Sequence, residues 1–190
     1  MPIVETHRLQ LRRLTSTDLS DLYALLSDSD VVRYVGTGEP ASLAETEIAL
    51  ISIGKHWEQH GFGRWAVIEK NTQKLIGYGG LRTLIETPEI VYHFAKPYWG
   101  LGLATEMARA SLRYGFEEHR FERIVAIAMP ENRASIHVME KIGMHYERRA
   151  TYYGIDVVQY AISRESYHPD DSFYIVHCAE QGRVPARSSA

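Results

Sequence analysis

The segment Trp99-Gly-Leu-Gly-Leu-Ala-Thr-Glu106 joins a strand-like run to a helical one through a glycine-rich turn. The apolar run Glu89–Ala95 precedes it, and a helical pattern from Ala104 to about His119 follows it. Two glycines at a helix entrance let backbone N–H groups approach a ligand, and the positive end of the helix dipole favours a phosphate there. A tight strand-to-helix turn that needs glycine explains the same spacing. The segment therefore predicts either an anion site or a plain turn.

Two common phosphate-binding motifs do not match this segment. A P-loop ends in Gly-Lys-Ser/Thr, and that ending is missing here. A dinucleotide fold needs a third small residue and an acid about 20 residues further on. Here Thr105 stands in the loop, Arg120-Phe-Glu-Arg123 leads into a strand, and three antiparallel strands are predicted before the segment. A dinucleotide-dependent enzyme is therefore a distant alternative.

The pattern outward from this segment predicts a single α+β domain. Apolar alternation and short apolar runs predict strands, whereas spacing of three and four residues and capping residues predict helices. The predicted strands are 8–14, 64–69, 75–81, 89–95, 123–128, 146–153 and 157–164, and the predicted helices are 19–26, 42–60, 104–119 and 132–142. The resulting order is βααβββαβαββ, which differs from the strict alternation of a doubly wound fold.

Composition excludes several classes of protein. The 190 residues are 45% hydrophobic and carry a net charge of −3, which disfavours a dedicated nucleic-acid binder and gives no reason to expect a membrane protein. The single cysteine, Cys178, rules out a disulfide framework within the chain and predicts a reducing, cytoplasmic setting. Met1–Arg8 lacks the apolar run of a signal peptide.

Trp99–Glu106 resembles the acetyl-CoA pyrophosphate loop of the GCN5-related N-acetyltransferases, the GNAT superfamily. Trp in first place is similar to the ribosomal-protein N-terminal acetyltransferase (RimJ/RimL-like) branch. The segment Glu5–Arg12 resembles that branch's first strand, as do Asn132-Arg-Ala-Ser135 with Glu140–Met144, and Asp156–Tyr160. The resemblance covers residues 3–167. It implies the GNAT fold, a mixed sheet with two splayed parallel strands flanked by helices.

The resemblance also implies where acetyl-CoA, the co-substrate, would bind. The pantetheine arm would lie between the strands 89–95 and 123–128. Backbone groups of Phe94 and Ala95 would bond its amides, and one such N–H could polarise the thioester carbonyl. Asn132 and Ser135 would touch the cofactor again, although Asn132 is equally suited to cap a helix. The loop residues expected at the pyrophosphate are Trp99, Gly100, Leu101, Gly102, Leu103, Ala104 and Thr105.

Acetyl transfer to an amine needs a base, because an alkyl ammonium must lose a proton before it can attack. Glu89 is the first candidate, against the alternative of a solvated carboxylate at a strand start. His93 lies four residues further along the same face and is the second, against the alternative of a packed sheet histidine. Many relatives place a tyrosine acid where this chain has Met139, so the proton donor to the thiolate stays open among Ser135, a nearby tyrosine and water.

The sequence thus predicts an N-acetyltransferase that moves acetyl from acetyl-CoA to a primary amine by direct transfer in a ternary complex. The amine belongs either to a protein N-terminus or to a small molecule, and it would enter near 34–39. The net charge leans slightly toward a cationic acceptor. The alternative is a non-catalytic acyl-CoA-binding module, which the missing tyrosine at Met139 favours. The protein is expected to be a monomer or homodimer, with no nucleic-acid or membrane partner.

Two remaining features have simpler explanations. His56 and His60 have the spacing of metal ligands on one helix face, but the motif lacks a glutamate directly after the first histidine and a third ligand. No metal is therefore expected. Residues 1–167 are expected to form the acetyltransferase domain and 168–190 a C-terminal extension, with one added strand at 173–177 and a loose end that begins at Gly182.

Overall fold

The computed structural model describes residues 2–177, which form one nine-stranded sheet with five helices. Cys178 and the end that begins at Gly182 lie outside the described residues. The strands are β1 (Ile3–Thr6), β2 (Leu9–Arg13), β3 (Arg64–Glu69), β4 (Leu75–Leu84), β5 (Thr87–Phe94), β6 (Arg123–Ala128), β7 (His145–Tyr152), β8 (Ile155–Ser163) and β9 (Tyr174–His177). The helices are α1 (Leu19–Leu26), α2 (Ser29–Val32), α3 (Leu43–His60), α4 (Leu103–Arg113) and α5 (Arg133–Lys141).

The sheet is mixed, with the spatial order β7-β8-β6-β5-β4-β3-β2-β1-β9. Every neighbouring pair is antiparallel except β5 and β6, which run parallel. These two strands are in register only at Glu89 and Val125. Beyond that pair the strands diverge, so backbone groups toward the end of β5 have no partner strand on that side. This is the splayed pair that the resemblance implies.

Helix α4 packs against the middle of the sheet because β4 is built from small residues there. A Cβ at Gly79 would lie 2.6 Å from the Val91 carbonyl oxygen and 2.6 Å from the terminal methyl of Met107, so glycine fits here between β5 and α4 without displacing either. Met107, Ala108 and Leu112 are buried in the core with the apolar side chains of β3, β4 and β6. The close contact fixes the start of α4 relative to the end of β5.

The capping signals in the sequence are used as expected at α3. The Ser42 hydroxyl accepts from the Glu45 amide, and the Glu45 carboxylate accepts from the Ser42 amide. Gly61 ends the helix in the left-handed conformation. The predicted bounds of this helix are therefore confirmed to within one residue.

The first predicted strand, 8–14, is present as β2 to within one residue, whereas β1 was not predicted. The chain bends at His7 and Arg8 between the two strands. The Thr6 hydroxyl accepts from the Leu9 amide, and the Arg8 amide donates to Glu106 instead of to a strand. A short helix, α2, also stands in a segment for which the sequence predicted only the end of α1.

Candidate active site

A cleft with a volume of about 790 Å³ follows the gap between β5 and β6. Its walls come from β5, the starts of α4 and α5, the chain after α2, and the hairpin of β7 and β8. Tyr34, Val35 and Gly36, from the segment where the acceptor amine is expected to enter, line the cleft. Tyr152 and Tyr153 of the β7–β8 hairpin also line it. The cleft therefore joins the predicted cofactor loop to the predicted catalytic strand.

The cofactor loop presents a helix start with no side-chain cap. Gly100 and Gly102 have φ of 74° and 77°, and Gly102 is the N-cap residue of α4. No side chain among the described residues caps this end, whereas α3 and α5 begin with the capping side chains of Ser42 and Asn132. The first N–H groups of α4 therefore remain available for an anion. Leu103, Ala104 and Thr105 form the first turn of the helix and line the cleft.

The loop is held in place from two sides. The Trp99 indole N–H donates to the Phe94 carbonyl at 2.6 Å, which ties the loop to the end of β5. The Arg8 guanidinium donates to the Leu101 carbonyl at 2.8 Å and to the Glu106 carboxylate at 2.7 Å. Sequence reasoning missed this role of Arg8. Its signal was the pair Arg8 and Glu106, since each lies in a segment that carries the family resemblance.

Of the two amides expected to contact the pantetheine arm, that of Ala95 is already used within the sheet, and the contacts of Phe94 stay a prediction. The Ala95 amide donates to the Ile76 carbonyl at 2.9 Å, and the Ala95 carbonyl accepts from the Tyr98 amide. The Ala95 N–H is therefore not available to polarise a thioester. The Phe94 carbonyl already accepts from Trp99 and keeps one lone pair for a ligand.

The start of α5 brings a tyrosine to the second cofactor contact. Asn132 caps the helix by accepting from the Ser135 amide, so its capping role is present. The Tyr92 hydroxyl donates to the Ser135 carbonyl at 3.0 Å and lies 3.0 Å from the Ser135 hydroxyl. Burial raises the pKa of Tyr92, so its phenol keeps its proton. Met139 is fully buried and also lines the cleft, where it offers no proton.

Glu89 is a buried carboxylate at the point where β5 and β6 meet. It is 1% exposed, and its carboxylate accepts from Arg82 Nε at 2.5 Å across the strand pair. Burial raises the pKa of Glu89, and the Arg82 charge counteracts part of that rise. The alternative of a solvated carboxylate is therefore wrong, and the carboxylate is poised to take up a proton.

His93 is a weaker candidate for the base. Its ring stacks on Tyr78 with centroids 4.7 Å apart, and its Nδ1 is buried without a hydrogen-bond partner among the described residues. Burial, together with the charges of Arg64 and Arg82, lowers the pKa of His93 to about 3. A ring with so low a pKa binds a proton weakly, so the structure favours Glu89 over His93.

The histidine pair of α3 is used within the protein. His56 contacts the Phe62 carbonyl and Thr83, and its ring lies 4.4 Å from that of His60. Within residues 2–177, no group of three or more His, Cys, Asp or Glu side chains is arranged to hold a metal ion. Over the same residues, no helix is long and apolar enough to cross a membrane.

Comparisons with known proteins agree with this geometry. The Bacillus subtilis protein YkkB is 34% identical, over 86% of this chain and 95% of its own, and the Bacillus subtilis N-acetyltransferase YnaD is 34% identical, over 76% and 83%. A GNAT-family acetyltransferase structure from Bacillus anthracis superposes with a TM-score of 0.75 at 30% identity, covering 86% of this chain and 99% of that one.

A more distant structure shares the fold and contains the cofactor product. Spermidine N-acetyltransferase from Vibrio cholerae, in complex with CoA and spermine, has a TM-score of 0.70 at 22% identity and covers 84% of this chain and 97% of its own. The family described as the acetyltransferase (GNAT) domain matches residues 8–145. The chain therefore belongs to the GNAT family of acetyltransferases, with the N-acetyltransferase activity and acetyl-CoA dependence of that family.

Proposed function

We propose that this chain acetylates a primary amine by direct transfer from acetyl-CoA within a ternary complex, with Glu89 as the base. The observation that carries the proposal is that one continuous cleft is lined both by the uncapped start of α4 and by the buried residue Glu89. The loop residues 99–105 hold the pyrophosphate, and Ser135 and Asn132 border the cofactor at α5.

The chemistry follows from the positions of the polar groups. Glu89 accepts a proton from the acceptor's ammonium, and the free amine attacks the thioester carbonyl carbon. A C–N bond forms, the C–S bond breaks, and CoA leaves as a thiolate, while the nitrogen loses its second proton, which water carries to the thiolate. Met139 cannot donate a proton, so water protonates the thiolate. The hydroxyl groups of Tyr92 and Ser135 supply hydrogen bonds on this side of the cleft.

The branch of the family, and with it the kind of acceptor, is proposed from sequence motifs. The Trp99 loop and the segment Glu5–Arg12 support the ribosomal-protein branch, whose acceptor is a protein N-terminus. The cleft is also suited to a small amine. The relative from Vibrio cholerae is named for spermidine, and at 22% identity it supports the fold alone. The cytoplasmic setting and the choice between monomer and homodimer stay predictions.

A thiol-release assay with acetyl-CoA tests the proposed function. The purified chain is expected to release CoA only when a primary amine is present. CoA should stabilise the protein by about 2.7 kcal/mol at a concentration 100 times its Kd, whereas NAD should not stabilise it. Binding of CoA without turnover of any amine would favour the non-catalytic module. Stabilisation by NAD alone would favour the dinucleotide enzyme.

A further inference from the structure

Arg64 lines the cleft as a cation without a counter-ion. It begins β3 and is partly buried, and its backbone carbonyl accepts from the Trp57 indole. Its guanidinium forms no hydrogen bond or ion pair with any part of the chain that the structure describes. An arginine is charged at any physiological pH, and the carboxylate that acts on this charge, Glu89, already forms its ion pair with Arg82.

The carboxylates of the cleft are already matched by other cations. Two acidic side chains from the described residues line it, Asp30 and Glu89. Asp30 pairs with Lys96 at 2.5 Å, and Glu89 pairs with Arg82. Arg64 is therefore in excess of the anions around it.

The strand register places Arg64 on the same face of the sheet as Glu89. Arg64 is opposite Gly80 and Arg82 is opposite Glu89, and Gly80 and Arg82 are two positions apart along β4. From the spacing of strands and residues in a sheet, the Cα atoms of Arg64 and Glu89 lie about 12 Å apart. Both residues line the cleft, so a small molecule bound there can contact both.

We propose that Arg64 binds a carboxylate of the acceptor, so that the acceptor is a small amine that also carries a carboxylate. This inference rests on the proposed function, because it assumes that Glu89 receives the amine. The guanidinium fork matches the two oxygens of a carboxylate, which it can bind through two parallel hydrogen bonds. A polyamine has no group for Arg64, although the net charge of the whole chain favours a cation.

Paired substrates test the proposal. Each of a panel of amino acids is assayed for thiol release beside its carboxamide, which keeps the amine and the side chain and removes the negative charge. For the acids that are acetylated, kcat/KM should exceed that of the amide by about tenfold to a hundredfold, as expected for a hydrogen-bonded charge pair. Equal or faster turnover of the amides, or a polyamine as the best acceptor, overturns the proposal.

Variants connect the preference to Arg64. R64M should lower kcat/KM for the acids about tenfold to a hundredfold and leave the amides within about twofold, and R64K should lie between the two. R149M, on the exposed strand β7, removes a positive charge elsewhere and should preserve the preference. An R64M enzyme that still prefers acids to the same degree overturns the assignment.

A binding measurement covers acceptors that the panel turns over slowly. Thermal stabilisation of the CoA-loaded protein by the amino acids should exceed that by the amides, and R64M should remove the difference. A panel with neither turnover nor acid-specific stabilisation overturns the proposal. Turnover of plain amines alone would overturn it too, while the proposed N-acetyltransferase function would stand.

Discussion

At the residue scale, burial and a neighbouring cation shift the pKa of Glu89 in opposite directions. Burial favours the neutral carboxyl, whereas the Arg82 guanidinium favours the carboxylate. Because burial outweighs the ion pair, the pKa of Glu89 lies above the ordinary range for glutamate. A base with a raised pKa has a higher affinity for the proton that it must remove. It is still ionised, and able to accept that proton, when the pH lies above its pKa.

The substitution E89Q tests this role. It should lower kcat by about a hundredfold near neutral pH, because a general base typically contributes at least that factor. Only the ionised form accepts a proton, so wild-type kcat should rise with pH through the raised pKa of Glu89, and the variant should lack that rise. E86Q, at an exposed position between β4 and β5, is the control. A pH–rate profile that E89Q leaves unchanged would exclude Glu89 as the base.

Gly102 supports the loop through its backbone conformation. Its φ of 77° is left-handed, so alanine there is strained even though a Cβ would meet only the Arg8 guanidinium at 3.6 Å. We expect G102A to raise the Kd for CoA several-fold, since about 1–2 kcal/mol of strain would shift the loop.

G61A introduces the same strain at the end of α3, where φ is 73°. Calorimetric titration with CoA should show normal affinity for this control and a similar loss of thermal stability. Equal affinities for both variants would argue against the loop as the phosphate site.

The residues of the loop could be predicted because glycine spacing is a local signal. The roles of Arg64 and Arg82 could not, because each depends on which residues face each other across β3, β4 and β5. The Ala95 amide was assigned from resemblance alone, and its bond to Ile76 became visible only once the end of β5 was placed beside β4.

At the element scale, the turn between β1 and β2 is coupled to the start of α4. Glu106 accepts hydrogen bonds from the Thr6 hydroxyl, the Arg8 amide and the Arg8 guanidinium. The same guanidinium holds the Leu101 carbonyl of the cofactor loop. The break between β1 and β2 therefore has a structural role, because it places Arg8 beside the cofactor loop. Hydrophobic alternation in residues 8–14 carries no information about this contact, which joins residues 98 positions apart.

The substitution R8Q tests Arg8 as a positioning residue. It should raise KM for acetyl-CoA about threefold to tenfold and leave kcat within about twofold, since one hydrogen bond to the loop is lost away from the reacting atoms. R123Q removes another exposed ion pair, with Glu147, and should leave both constants unchanged. Steady-state kinetics with saturating amine measure the split. A fall in kcat with an unaltered KM would contradict the positioning role.

At the scale of the whole molecule, the C-terminal extension closes one edge of the sheet. Strand β9 pairs with β1 over four residues, from Ile3 with His177 to Thr6 with Tyr174. Asp170 pairs with Arg109 of α4 at 3.0 Å, and Arg113 lies over the Tyr174 ring. The strand predicted at 173–177 is present as β9, whereas its place beside β1 was not predictable, because an edge strand has no sequence signal for its partner.

Shortening the chain tests whether the extension belongs to the catalytic domain. A chain that ends at Tyr167 should keep CoA affinity and kcat within about threefold, because none of residues 168–177, the described part of the extension, lines the cleft. It should lose about 2 kcal/mol of unfolding free energy, since Tyr174 and Val176 no longer cover the core beside β1. A chain that ends at His177 retains β9 and is the matched control. Urea unfolding and CoA titration of both chains separate the effects. Loss of CoA binding in the shorter chain alone would place the extension within the domain.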